Sequence, residues 1–501
     1  MNIPENVEQE TMPERLARSA YRAMPWLLGF AMAAAVFSRA YIIPRHVHNI
    51  GFSEMNVVDG VIRLMDGYPL YGDPEKPPFD IIQYSPIHYY ITWACVEMLG
   101  LEHDRPNSIY MVNRVVSLLA NLITLLVLWR LGAHLRLELW LRLLLMGLMF
   151  TWMHEPFFSR PDSIYQLCCA VFFGAALRTL GQGRLSWAGA MRLGVWSALV
   201  LFCKQSGVGP VLAVGCGLLL TADRHTTFRY ATGVLLFNVL FLAALCLHDG
   251  WHNVYSNLVL GNVNGFGWPW FAFDPREPYI GMGLWITPAA LFIGWRYRKL
   301  FSTESVFLLV AAIVMYAWAF ITAFKVGSNM NYFMEHWLAC SIICVLFISR
   351  SASTHSLFRD GLALALCAIV LLRATWFTKV FVFSGYPPDQ IANYNDDLAA
   401  IDELRAHGLQ ATDAVFVVGE HSFIDQALGT RAWMKMKDII RQSQSNLVLD
   451  HRILFDPERN GQLRFLLSAD STAFVRLEKE VFTGFHPSFR AGRYTAYERD
   501  R

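Results

Sequence analysis

Apolar runs separated by short basic turns fill the chain from residue 24 to about 382, and the pattern then stops. A run of about 20 apolar residues matches the hydrocarbon core of a bilayer. The first run is Met24–Ile43. Ten more follow: Ile109–Trp129, Leu137–Phe157, Ser163–Leu180, Met191–Lys204, Val208–Ala222, Tyr230–His248, Ile280–Trp295, Ser305–Phe324, His336–Ser349 and Gly361–Val382. Each predicts a membrane-crossing helix. The stretch Ser85–Leu99 is short and holds Pro86, His88 and Glu97. It predicts an interfacial or re-entrant helix instead. Arg39, near the end of the first span, is expected to snorkel toward an interface.

Basic residues orient the array. With the N-terminus inside, the inner turns hold Arg130 and Arg136; Arg178, Arg184 and Arg192; Arg224 and Arg229; Arg296, Arg298 and Lys299; Arg350 and Arg359. The outer turns hold mainly Arg160, Lys204 and Lys325. That asymmetry is the positive-inside pattern. Arg15, Arg18 and Arg22 precede the first run with no cleavage site after it, so the first helix is read as retained. The expected organisation is a cytoplasmic tail 1–23, a transmembrane domain 24–382 with an outer loop 44–108, and an outer C-terminal domain 383–501. In that last part Asn393–Gly408 has an amphipathic helical pattern ending on a glycine. Ala414–Gly419 and Leu463–Leu467 read as strands, so a small α/β domain is expected. The fold class is therefore a polytopic α-helical membrane protein of about eleven spans with a small outer α/β domain.

Composition agrees. Charged residues are 16% of the 501, against about 25% in soluble domains. With 42 basic and 40 acidic residues the net charge is +2, and no basic excess points to nucleic acid. The nine cysteines all lie in apolar segments before residue 383, the pattern of small buried residues rather than of a disulfide framework or a zinc site.

Ionisable groups collect on the outer side. Loop one carries Arg39, Arg45, His46, His48, Glu54, Asp59, Arg63 and Asp66, with Asp73, Glu75, Lys76 and Asp80 as plain loop charges. Later outer turns carry His154, Glu155, Arg160 and Asp162, then Lys204, then Lys325, Asn329, Asn331, Glu335 and His336. Charge at a membrane edge is costly unless paired or hydrated, so four segments converging on one face predict a shared cavity. His46 and His48 alternate, but spacing supplies no third ligand. A divalent metal is not supported by spacing, and no cofactor is required. Asn331 and Glu335, four apart, share a helix face. Glu54 opens a helical pattern whose apolar side (Val57, Val58, Val61, Ile62, Leu64 and Met65) can rest on the membrane surface. The helix dipole keeps a carboxylate there ionised, as a general base requires.

Four blocks carry a resemblance. Loop one reads GFSEMNVVDGVIRLMDGYPLYGDPEKPPF and then QYSPIHYYI; SRPDS stands at 159–163, CKQSGV at 203–208 and GSNMNYFMEHW at 327–337. In order and spacing these resemble the GT-C superfamily of membrane glycosyltransferases, relatives of protein O-mannosyltransferases and aminoarabinose transferases. One departure stands out: where many relatives carry Asp-Glu, this chain has Ser53-Glu54.

The resemblance implies transfer of a sugar from a polyprenyl phosphate to a glycan, lipid or protein acceptor, with inversion. Membrane lipids surround the site, which is expected on the periplasmic face of a bacterial inner membrane. It implies Glu54, with Asp59 as fallback, for the catalytic base, and Lys204 and Arg160 for the donor phosphate. Asp162, Asn331, Glu335 and Tyr84 are expected to bind substrate. A transporter is the competing class, and it predicts paired repeats and charges at mid-membrane. The charges here lie at one edge.

Overall fold

The computed structural model describes residues 12–47, 50, 54–152, 160–181, 184–262, 286–297, 303–325, 330–351, 357–383, 389–418, 423–433, 462–469 and 484–499. Helix α1 spans Met12–Ile42, and loop one then forms α2 (Glu54–Met65) and α3 (Ile87–Met98). The apolar array continues as α4 (Pro106–His134), α5 (Leu139–Trp152), α6 (Asp162–Gly181), α7 (Trp187–Cys203), α8 (Val208–Thr221) and α9 (Arg224–Asp249). A short α10 (Trp251–Leu258) precedes α11 (Ile286–Arg296), α12 (Thr303–Ala323), α13 (Met334–Arg350) and α14 (Leu357–Thr378). Every one of the eleven apolar runs thus coincides with a helix. Among the described residues seven of these are long and apolar enough to cross a membrane, and α5, α7 and α8 are shorter apolar helices. Residues 280–285 and 153–157 of two expected runs lie outside the described residues.

Helix α13 is the axis of the bundle. Met334 through Ile348 are all buried, as expected for a helix that is apolar all round. Helices α5, α11, α12 and α14 pack against it. On the other flank α7 lies along α9, and glycines set their separation. A β-carbon at Gly194 would collide with the Gly233 carbonyl, and one at Gly233 would strike the Ala190 carbonyl. Small residues let apolar helices pack backbone to backbone where lipid supplies no hydrophobic driving force.

Three expectations change. Arg39 does not reach an interface: it is 1% exposed and lies over the Phe150 ring at 5.8 Å. The apolar face of α2 does not rest on a membrane surface. Val57, Val58, Val61 and Ile62 are fully buried in a cluster with Tyr89, Tyr110 and Phe423. Asp80 is not a plain loop charge, because it is buried and faces Arg63 Nη1 at 3.8 Å. Lys76 behaves as expected and pairs with Asp73 in solvent at 3.2 Å.

The C-terminal part is α/β. Helix α15 (Ile391–Ala406) ends before Gly408, whose φ of +81° makes it the helix stop. Strands β1 (Ala414–Val418), β2 (Leu463–Ser468), β3 (Phe485–Ala491) and β4 (Tyr494–Arg499) form one sheet in the order β1-β2-β4-β3. Strands β1 and β2 are parallel and the other pairs antiparallel. Helix α16 (Phe423–Leu428) and the turn after it join this domain to loop one. Gln426 Nε2 donates to Asp59 at 2.9 Å, and Thr430 N donates to Asp66 at 2.8 Å.

The helix crossing yields a stability prediction. Gly194→Ala forces α7 and α9 apart, an overpacking cost of about 1–3 kcal/mol. Gly29→Ala in α1, where a β-carbon meets open space, leaves stability unchanged. Thermal unfolding of the purified protein in detergent distinguishes the two; equal melting temperatures would show that the crossing relaxes freely.

Candidate active site

Five segments meet at one end of the bundle around the carboxylate of Asp162, the first residue of α6. Its Oδ1 accepts from Lys204 Nζ at 2.6 Å and from Asn331 Nδ2 at 2.8 Å. Its Oδ2 accepts no hydrogen bond and lies 3.5 Å from Arg160 Nε. Asp162 is fully buried, and Lys204 and Arg160 are nearly so. Charge so enclosed has to be compensated on the spot, and one carboxylate here serves two cations.

Aromatic rings complete the enclosure. Lys204 Nζ lies 4.9 Å from the Tyr332 ring centre and 5.7 Å from that of Tyr165, within reach of a cation–π attraction. The Tyr165 hydroxyl donates to Glu335. Asn331 and Glu335 therefore both reach this cluster, Asn331 through Asp162 and Glu335 through Tyr165. Asn331 sits in a 3-10 turn ahead of α13 rather than in the helix itself.

A short stretch of loop one ties the cation-bearing segments together. Tyr84 OH accepts from Arg160 Nη2 at 3.0 Å. The carbonyl of Gln83 accepts from Gln205 Nε2 at 2.5 Å and from Asn262 Nδ2 at 2.8 Å. Gln205 adjoins Lys204, and Asn262 Oδ1 accepts from Lys325 Nζ at 3.2 Å. Residues 83 and 84 thus fix the Arg160, Lys204 and Lys325 segments relative to one another.

The two carboxylates expected as bases have protein partners. Glu54 is fully buried; Arg114 Nε donates to its Oε1 at 2.6 Å and Arg114 Nη2 to its Oε2 at 2.9 Å. Ile50 N also donates to Oε2, at 2.8 Å. The remaining Arg114 protons go to the carbonyls of Ile43, Arg45 and Val47. All five guanidinium donors are used, so the pair is a clamp closing the start of loop one onto α4. Glu54 is thus held in a buried ion pair with Arg114. Asp59 receives Gln426 and anchors the C-terminal domain.

The histidines have other tasks. His46 N donates to Asp389 at 3.2 Å, and its ring lies 4.9 Å from that of Tyr394, tilted by 52°. His88 is buried against Asn113 at 2.7 Å. His48, His154, Glu155 and Asn329 lie outside the described residues. Among the described residues no three His, Cys, Asp or Glu side chains group to hold a metal ion. Sequence reasoning missed Arg114. Its signal was present, since a charged residue inside the apolar run Ile109–Trp129 needs a buried partner.

The clamp makes a prediction. Glu54→Gln leaves Arg114 buried with half its pairing, and breaking such a pair costs about 3–5 kcal/mol. The variant should lose folded yield and melt well below wild type in size-exclusion assays. A Glu54→Gln protein of wild-type stability that had lost turnover would show that Glu54 acts as the base and not as a clamp.

Among solved structures the chain is similar to ArnT from Cupriavidus metallidurans bound to undecaprenyl phosphate. The identity is 13% and the TM-score 0.62, over 95% of this chain and 98% of that one. It is also similar to the archaeal oligosaccharyltransferase AglB from Archaeoglobus fulgidus, in complex with an inhibitory peptide and a dolichol-phosphate. There the identity is 11% and the TM-score 0.52, over 95% of this chain and 74% of that one. No protein-family model and no curated protein matches the sequence. At these identities the likeness is one of fold: the chain shares the polytopic helical fold of these two proteins.

Proposed function

We propose that this protein is a GT-C glycosyltransferase that moves a sugar from a polyprenyl phosphate to a hydroxyl-bearing acceptor. The carrying observation is the buried Lys204–Asp162–Arg160 cluster at one end of an apolar bundle. It stands in a fold shared with ArnT bound to undecaprenyl phosphate and with AglB in complex with a dolichol-phosphate. A lipid-linked donor keeps its tail among the helices while its phosphate reaches the rim. From the basic-turn asymmetry we place this rim on the periplasmic side of a bacterial inner membrane, with the domain from 383 on the same side.

The chemistry follows from charge. The acceptor oxygen forms a bond to the anomeric carbon, opposite the phosphate, and inverts it. The bond from that carbon to the phosphate oxygen breaks, and polyprenyl phosphate departs with the electron pair. Negative charge grows on the phosphate as it leaves, and preorganised cations stabilise that change most. Lys204 and Arg160 are held in place for it by Asp162 and Tyr84. The acceptor proton passes to a carboxylate. Asp162 is bound to the two cations that face the phosphate, so its task is to hold them, and the loop-one carboxylates Glu54 and Asp59 are the bases we propose. Lys204 and Arg160 supply the charge a divalent ion would otherwise supply, so the scheme uses no cofactor. Asn331 and Glu335 shape the same pocket from the head of α13.

Transfer of radiolabelled sugar from undecaprenyl-phosphate donors, by the reconstituted protein, tests the assignment. Asp162→Asn leaves Lys204 and Arg160 without the carboxylate that holds them, so donor affinity and turnover of the folded variant should both fall, by about tenfold or more. Wild-type donor affinity and turnover in the folded variant would remove Asp162 from the phosphate site. Tyr84→Phe deletes one hydrogen bond to a charged group, about 1.5–3 kcal/mol, and should reduce turnover roughly tenfold or more without unfolding. Unchanged turnover would detach Arg160 from catalysis.

A further inference from the structure

Lys325 follows α12 at the same end of the bundle and is half-buried. Its Nζ donates to the neutral amide oxygen of Asn262 at 3.2 Å. Among the described residues no carboxylate pairs with it, whereas Lys204 has Asp162 at 2.6 Å. Burial and the charge of Lys204 push its pKa down to about 8. Asn262, which holds Lys325, and Gln205, which adjoins Lys204, donate to the same Gln83 carbonyl. The fold therefore ties the segments that bear these two like charges to one anchor. Such an arrangement disfavours itself unless an anion completes it.

We propose that Lys325 is a third phosphate-contacting residue, and that the donor's phosphate, held by Lys204 and Lys325 together, supplies the missing anion. This rests on the reading of the site as a polyprenyl-phosphate site. The sugar-linked donor is a phosphodiester with one negative charge, and the departing monoester gains a second as the carbon–oxygen bond breaks. Lys204 is matched by Asp162 before any ligand arrives. Lys325, which no carboxylate matches among the described residues, meets the charge that appears on departure.

The test is binding of undecaprenyl phosphate itself to the purified full-length protein, followed from pH 7 to 9.5. The lipid's second ionisation, near pH 6 in phosphate monoesters, is over by then. A free-state pKa below that of the complex means that protonated Lys325 is favoured by the ligand, so affinity falls as pH rises through about 8. The expected slope approaches about tenfold per pH unit. Lys204, Asp162, Arg160, Glu335, Tyr84 and Tyr332 surround the site and are present in every Lys325 variant. Lys325→Arg, charged throughout, isolates the Lys325 contribution by abolishing the fall while keeping affinity near that of wild type at pH 7. Lys325→Gln should bind about tenfold more weakly at pH 7 and show no fall. If Lys325→Gln binds as wild type with the same pH profile while Lys204→Gln loses binding, Lys325 is no ligand and the phosphate site stands. If the wild-type protein binds no undecaprenyl phosphate at any pH, the donor reading fails and this inference with it.

Discussion

Asp162 sets the terms for everything around it. A carboxylate sealed at the head of α6 is tolerable only because Lys204, Arg160 and Asn331 close on it. Each partner comes from a different segment, so the α7–α8 turn, the turn before α6 and the turn before α13 must meet at one point. The geometry of that end of the bundle is thus dictated by local charge neutrality in a poorly solvated place. Among the described residues Lys325 stands at the same end of the bundle with a neutral amide for its partner.

A second buried pair does a different job with the same physics. Arg114 spends all its donors on Glu54 and on three carbonyls of the segment 43–47. Loop one is thereby sewn to α4 at its start, and Gln83 and Tyr84 sew it to the cation segments near its end. Between these points α2 lies buried, with the C-terminal domain held to it through Asp59 and Asp66. The Phe79 ring against Trp433 at 5.0 Å adds an apolar contact to that junction. Loop one is a structural element clamped between two domains, and the acidic residues that mark it are largely fasteners.

The helices were legible because membrane-length apolar runs leave little choice of structure. The runs from Met24 to Val382 each became a helix, and β1 and β2 fell on the two apolar stretches read as strands. The hairpin β3–β4 was not foreseen: its alternation is interrupted by Pro487 and by Gly492 in a left-handed turn. Convergence of Arg160, Asp162, Lys204, Asn331 and Glu335 could be anticipated from their shared side of the membrane. Their pairing could not, because periodicity says which face a residue occupies and nothing about which distant partner meets it. Glu54 shows the limit most plainly. A carboxylate at a helix start looks the same in sequence whether it serves as a base or as the far half of an ion pair sixty residues away. Arg39 shows it again, since only the packing of α5 decides whether an arginine near a span's end snorkels or is enclosed.

The proposed function turns on where the donor's phosphate lies. A structure of the full-length protein with undecaprenyl phosphate bound, by single-particle cryo-electron microscopy in lipid nanodiscs, measures this directly. The account predicts phosphate oxygens within ion-pair reach of Lys204 Nζ, about 4 Å, at the outer mouth of the bundle, with the isoprenoid tail running away between the helices. A phosphate bound elsewhere, with the Lys204–Asp162–Arg160 cluster closed and unliganded, would contradict it.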